Sequence, residues 1–381
     1  MYGGHITDDW DRLLNMTFLE FYIKEELLDE TEMYPFNENF PDDKFRSPPV
    51  LSYDQYFQYI DEFLPGETPV AFGLHPNAEI AVKTTESDTL FRYIMELQPR
   101  DAGGSDEDGG QTPQARVQML LEQILEKIKP INYPLDDIAA SCAEERGPYQ
   151  NVFLQECDRM NQLTSAMAKS LKELELGLLG ELQMSAKMEA LQDDIFFGRV
   201  PAGWAKLAYP SLRALSNWIE NLLLRAQQLT TWTEEATSTP PVVVLSYMFN
   251  PQSFLTAIMQ VTAQKNKLEL DKLCILTDVT RKSIEQTEGR ARDGAFVTGF
   301  FLEGARWNWQ TGTLEESLPK EMFCELPVIN CRAILTEKME KTGIYFCPVY
   351  YTADRGPTYL LTANLRTKLP AQKWILAGVC M

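Results

Sequence analysis

Thr239-Pro-Pro-Val-Val-Val-Leu-Ser-Tyr-Met-Phe-Asn-Pro251 is the stretch at which the hydrophobic period of this sequence switches. The two prolines stop any helix that reaches them. Val242 to Met248 is β-branched and apolar, as a strand would be. Asn250-Pro251 then supplies an N-cap and a first-turn proline for a helix carrying Phe254, Leu255, Ile258 and Met259. Apolar residues recur at helical spacing before this point and fall into short runs separated by Gly, Pro and Asp after it. Helices followed by strands predict an α+β protein, with a helix bundle in the N-terminal half and a C-terminal half whose strands close as a barrel.

Upstream, Val117, Leu120, Leu121, Ile124, Leu125 and Ile128 form one helical face that Pro130 ends. Phe153, Met160, Leu163, Met167, Leu171, Leu174 and Leu178 make a seam that another helix must cover. Met184 to Phe197 and Ser211 to Leu229 read as two more helices, with Trp218 as a core anchor among Leu215, Ile219 and Leu222. Downstream, strands are expected over 272–279, 295–302, 327–335, 344–351, 358–366 and 373–380. The last of these is apolar on both faces and is expected to be central. Arg355-Gly356-Pro357 is the turn between its neighbours.

The sequence has 381 residues, 44% hydrophobic and 24% charged, which is globular composition. Its 35 basic and 55 acidic side chains give a net charge of −20, which repels phosphate backbones and anionic lipid and argues against nucleic-acid or membrane partners. Residues 1–110 hold 24 Asp/Glu and 7 Lys/Arg, a charge of −17, leaving −3 for residues 111–381. Within the acidic front, Asp101 to Gln111 has no apolar residue larger than alanine and reads as a solvated loop. No run approaches 18 uninterrupted apolar residues, and Met1-Tyr-Gly-Gly-His5 lacks the basic and apolar regions of a signal peptide. The expectation is a soluble, non-secreted protein, or a fragment of one.

Seven cysteines, odd in number and without a Cys-x-x-Cys pair, predict buried thiols rather than disulfides or structural zinc. His5 and His75 are the only histidines, so Cys347 would be a nucleophile only if one of them folded back onto it. A packed strand cysteine is the simpler reading. No glycine is followed by lysine, which excludes a phosphate-loop nucleotide site, and no Gly-x-Gly-x-x-Gly, His-Glu-x-x-His or Gly-x-Ser-x-Gly occurs. Asp8, Asp9 and Asp11 beside His5 could suggest a metal, but Asp8 is better placed to cap a helix from Asp9 to Leu28. Asn15-Met16-Thr17 matches a glycosylation sequon inside that helix, where chance explains it better. No pair of carboxylates stands out for glycoside hydrolysis. Neither a cofactor nor a metal is expected.

Several stretches resemble a known family. Tyr2-Gly-Gly-His-Ile-Thr-Asp-Asp-Trp-Asp-Arg12, Phe72-Gly-Leu-His-Pro-Asn-Ala-Glu-Ile80 and Val200-Pro-Ala-Gly-Trp204 with Tyr209-Pro-Ser211 and Trp218 look like segments near the C-terminus of dynein heavy chains. So do Phe254-Leu-Thr256, Gly299-Phe-Phe-Leu-Glu-Gly-Ala-Arg-Trp307, Tyr345-Phe-Cys-Pro-Val-Tyr350 and Lys373-Trp-Ile-Leu-Ala-Gly-Val379, collinear across nearly the whole sequence. Arg355-Gly-Pro-Thr-Tyr359 and Leu365-Arg-Thr-Lys368 resemble axonemal, outer-arm-type chains more than cytoplasmic ones. The resemblance implies that residues 1–30 are the end of the small lid of the sixth AAA+ module. It implies an acidic connecting region over 31–111, a helical half over 112–238 and a β-barrel half over 239–381. In that family ATP is hydrolysed by earlier ring modules and tubulin is gripped by a stalk, neither of which is in this sequence.

The function so implied is non-catalytic: bracing the motor ring and tuning ATP-driven microtubule motility in a ciliary or flagellar axoneme. The implied partners are the AAA+ ring modules of the same heavy chain and other subunits of the dynein complex, with the microtubule touched only indirectly. A self-standing domain that docks a partner through its acidic surface is the alternative, and a hydrolase with an unrecognised carboxylate pair is a third. Interfaces draw most of their energy from a few aromatic and arginine anchors, so Arg306, Trp307 and Trp309, clustered before the turn at Gly312, are candidate contact residues. The competing reading is that both tryptophans fill the barrel.

Overall fold

The computed structural model describes residues 4–29, 33–36, 46–63, 69–97 and 113–381. The acidic stretch 101–111 lies outside the described residues. Helix α1 (Asp9–Tyr22) starts where the Asp8 carboxylate accepts hydrogen bonds from the amides of Trp10 (2.9 Å) and Asp11 (3.1 Å), as its sequence predicts. It ends well short of the expected Leu28, and Glu25–Leu28 forms a 3-10 turn instead. No apolar residue of α1 is buried, so no packing extends the helix beyond what local bonds support. Helices α2 (Tyr53–Phe63) and α3 (Asn77–Leu97) occupy the acidic connecting region, for which the sequence pattern specifies no element.

The bundle consists of α4 (Pro113–Ile128), α5 (Leu135–Ser141), α6 (Pro148–Leu178), α7 (Ala186–Phe196), α8 (Ala202–Ala205) and α9 (Leu215–Glu234). The 31-residue α6 is its axis; the predicted seam is fully buried from Phe153 through Met160, Leu163, Met167 and Leu171 to Leu174, and its last residue, Leu178, is partly buried. α4, α5, α7 and α9 all pack on it. Trp232 of α9 stacks on Phe153 with ring centroids 4.9 Å apart, and Trp218 stacks on Trp204 at 6.2 Å. Full burial of each such side chain contributes about 1.5–3 kcal/mol, so these stripes outweigh the modest propensities of the individual helices.

After β1 (Val242–Val244), α10 (Pro251–Asn266) begins at the expected cap, where the Asn250 side chain accepts from the Ser253 amide. There follow β2 (Leu273–Val279), β3 (Ala295–Thr298), β4 (Phe301–Leu302), β5 (Arg306–Asn308), β6 (Thr313–Glu315), β7 (Cys324–Glu325), β8 (Ile329–Leu335), β9 (Ile344–Tyr350), β10 (Tyr359–Arg366) and α11 (Ala371–Leu376). One sheet has the order β1-β3-β8-β2, with β1 parallel to β3 and the other pairs antiparallel. α10 covers it on one side, next to α6. The apolar core is continuous from Val117 to Val379, so bundle and strands share one interior.

Three expectations for the strand half are corrected. The expected central strand 373–380 is the short helix α11, followed by a single bridge from Cys380 to Glu303. Pro370 precedes this helix, and Gly378 (φ +66°) follows it in a left-handed conformation, which ends the helical turn. The strands do not close as a barrel: among the described residues they form the four-stranded sheet and the separate pairs β9/β10, β4/β7 and β5/β6. β1 is one edge strand of the sheet and β2 the other. Its neighbour β10 is tied to it by side chains rather than a ladder, with the Asn364 amide donating to Thr277 Oγ1 (2.6 Å) and the Thr277 amide to Asn364 Oδ1 (3.3 Å). The expected strand 295–302 is likewise split into β3 and β4 at Gly299, whose φ of +91° bends the backbone out of extended geometry.

Candidate functional site

The candidate contact residues sit on the β5/β6 hairpin. Arg306 faces Glu315 in register and Trp307 faces Leu314, while Asn308 bonds Glu315 Oε1 at 2.8 Å and caps the turn by accepting from the amides of Gln310 and Thr311. Strand alternation separates Arg306 from Trp307, and Trp309 lies beyond the end of β5, in the turn. Trp307 is buried in the core, its amide donating to Cys324 Sγ. Arg306 is half-buried and its Nε lies 3.9 Å from Glu321 Oε2. Trp309, at 40% exposure, stands on the surface.

A clasp lies beside this hairpin. Asn77, the first residue of α3 and itself buried, donates from Nδ2 to the carbonyls of Leu318 (2.8 Å) and Glu321 (2.9 Å) and accepts at Oδ1 from the Lys320 amide (2.7 Å). Those three bonds hold Lys320 in a left-handed conformation with φ +67°. His75 Nδ1 accepts the Asn77 amide and so orients the clasp. Residues near the front of the molecule are thereby fastened to the strand half.

The joint between bundle and strands is a second polar site. Glu156 of α6, 2% exposed, accepts the amides of Phe249 (2.5 Å) and Asn250 (2.9 Å). Burial pushes its carboxyl above the usual range, an effect partly offset by those two amides and by the charges of Arg159 and Arg225. Arg225 of α9 is also buried. It bonds Asn221, the Met248 carbonyl and Tyr351 Oη, and its guanidinium lies 3.3 Å over the Tyr209 ring. Sequence patterning alone does not single out Asn77, Glu156 or Arg225. The signal for the last two is a charge at an apolar-stripe position: Glu156 follows Phe153 by three and precedes Met160 by four, and Arg225 stands likewise between Leu222 and Leu229.

The chemistry of these groups is that of fastening. Cys347 is fully buried and burial raises its thiol well above the ordinary range, so it is held as the protonated, unreactive thiol. Among the described residues no group of three His, Cys, Asp or Glu side chains is arranged to hold a metal ion.

Similarity to known proteins extends over nearly every residue. The family model for the C-terminal domain of the dynein heavy chain matches residues 84–381, and that for the AAA lid domain of the dynein heavy chain matches residues 1–78. Over its full length the sequence is 49% identical to the ciliary dynein beta chain of Tripneustes gratilla and 47% identical to dynein axonemal heavy chain 17 of Homo sapiens. It is 44% identical to the dynein beta chain of the flagellar outer arm of Chlamydomonas reinhardtii. It spans 8% of the length of each of these relatives.

Proposed function

Because this protein belongs to the family of C-terminal domains of dynein heavy chains, we propose that it is a non-catalytic regulatory and structural segment that braces an AAA+ motor ring and tunes ATP-driven movement along microtubules in a ciliary or flagellar axoneme. Its partners are the ring modules of the same heavy chain and, beyond them, other subunits of the dynein complex. The microtubule is reached only through the rest of the motor. Exposed Trp309 and half-buried Arg306 are the parts of the hairpin that offer contact area to such a partner.

The observation that carries this reading is the state of α1, α2 and α3. Among the residues of 4–97 whose side chains are described, only Thr17 and Asn77 are buried, and neither is apolar. Leu13, Met16, Phe57, Ile60, Phe91 and Ile94 are all at least 43% exposed. Helices that carry this much apolar surface are stabilised by covering it, and the lid match over residues 1–78 makes adjoining ring modules the natural cover. Hydroxyl-radical footprinting of the isolated 381-residue protein and of the complete heavy chain tests it. Phe57 and Phe91 should be modified readily in the isolated protein and protected in the heavy chain. Equal modification in both would remove the ring as the cover and leave the acidic front as the docking surface.

A further inference from the structure

The unclosed seam between β2 and β10 opens into a cavity of about 600 Å³, roofed by the turn of the β5/β6 hairpin. Its volume is in the range of small-molecule sites, roughly 300–1,000 Å³. Its charge runs against that of the whole protein. Arg281, Arg332, Lys338 and Arg366 line it against the carboxylates of Asp278 and Glu340, leaving +2 locally in a molecule of −20. Arg332 is engaged by Asp278 at 2.8 Å. Arg281 donates to the Thr311 carbonyl, which leaves its charge uncompensated, and Lys338 and Arg366 have no ion pair among the described residues. Trp307 forms part of the wall, and its buried indole N–H has no acceptor.

We propose that this cavity binds a small molecule bearing a pyrophosphate group. Three cations without an ion-pair partner among the described residues line one opening, against a single unpaired carboxylate, Glu340. Asp278 and Glu340 repel any anion here; a single carboxylate carries charge for only one of the cations, whereas two linked phosphates carry charge enough to engage Arg366, Lys338 and Arg281 together and so offset that repulsion. Guanidinium groups match phosphate oxygens with paired donors, and lysine adds a point charge. The site has no glycine-lysine backbone cradle, so it binds without the geometry for phosphoryl transfer. A ligand there would bridge the four-stranded sheet to the β9/β10 pair, making the connection that the backbone ladder omits. The inference stands apart from the ring-bracing function, since it rests on the strand half alone.

Calorimetric titration of the 381-residue protein with sodium pyrophosphate at constant ionic strength tests it, with orthophosphate and citrate as parallel arms. Saturable binding of one pyrophosphate is expected, tighter than either comparison anion. The double variant Lys338→Gln/Arg366→Gln removes two of the charged donors and should weaken it by at least about tenfold. Both side chains are exposed, so the variant should keep the parent's circular dichroism. Lys172→Gln, on the exposed side of α6, should bind as the parent does. Absence of saturable binding, equal affinity in the double variant, or citrate binding as tightly as pyrophosphate would each overturn the proposal.

Discussion

At the scale of single residues, Trp218 is 1% exposed and lies between the rings of Trp204 and Tyr209, 6.2 and 5.9 Å away. Truncating such a side chain leaves a cavity that close-packed neighbours fill only in part. Trp218→Ala should therefore lower stability by about 3–5 kcal/mol in denaturant unfolding, and a loss below about 1 kcal/mol would mean that the stack contributes little. Glu156 offers a pH-dependent test. Its folded-state pKa is raised, so in the window above the ordinary glutamate range the native state holds a proton that the unfolded state has released, and stability falls as pH rises through that window. Glu156→Gln mimics the protonated group and lacks this dependence. Unfolding free energies measured across that window should show the variant gaining on the parent with rising pH, and a constant difference would reject the assignment. Trp218 is legible in the sequence because it repeats at helical spacing with Leu215, Ile219 and Leu222. Glu156 is not, because its partners lie 93 and 94 residues away.

At the scale of elements, long periodic segments can be read and short apolar ones cannot. The α6 seam and the cap-and-proline start of α10 each rest on several residues that agree, so local and tertiary preferences coincide. The run Lys373 to Cys380 is too short to fix a period, and the helical identity of its first part lies in Pro370 before α11 and Gly378 after it rather than in its hydrophobicity. Barrel closure depends on whether β2 meets β10 through a backbone ladder; the amides of Thr277 and Asn364 instead bond each other's side chains, which no local pattern reports. Pairing of β3 with β8 hangs on Gly294. Its φ is +79°, and a Cβ there would lie 2.0 Å from the Cys331 carbonyl oxygen. Gly294→Ala should cost about 1–3 kcal/mol from its backbone conformation alone, with more from displacing β8. Amide hydrogen exchange should then speed up through Ala295–Thr298 and Ile329–Leu335; unchanged protection in both strands would show that β8 has room to move.

On the scale of the whole molecule, burial is lopsided. From Val117 onward the protein builds one continuous core, whereas none of the described apolar side chains before it is buried. The strand half nevertheless reaches forward to the first helices through the Asn77 clasp and the contact of Trp10 with Tyr359. On the proposed reading, a unit closely packed at one end and apolar on the open face of the other is anchored on something larger and restrains it. That is the central claim, and motility of the complete motor tests it most directly. A heavy chain lacking residues 84–381 should move microtubules with altered velocity, stall force or run length while still hydrolysing ATP and binding microtubules. If the shortened motor folds and all three motile quantities match those of the intact one, the segment does not tune the motor and the account is wrong.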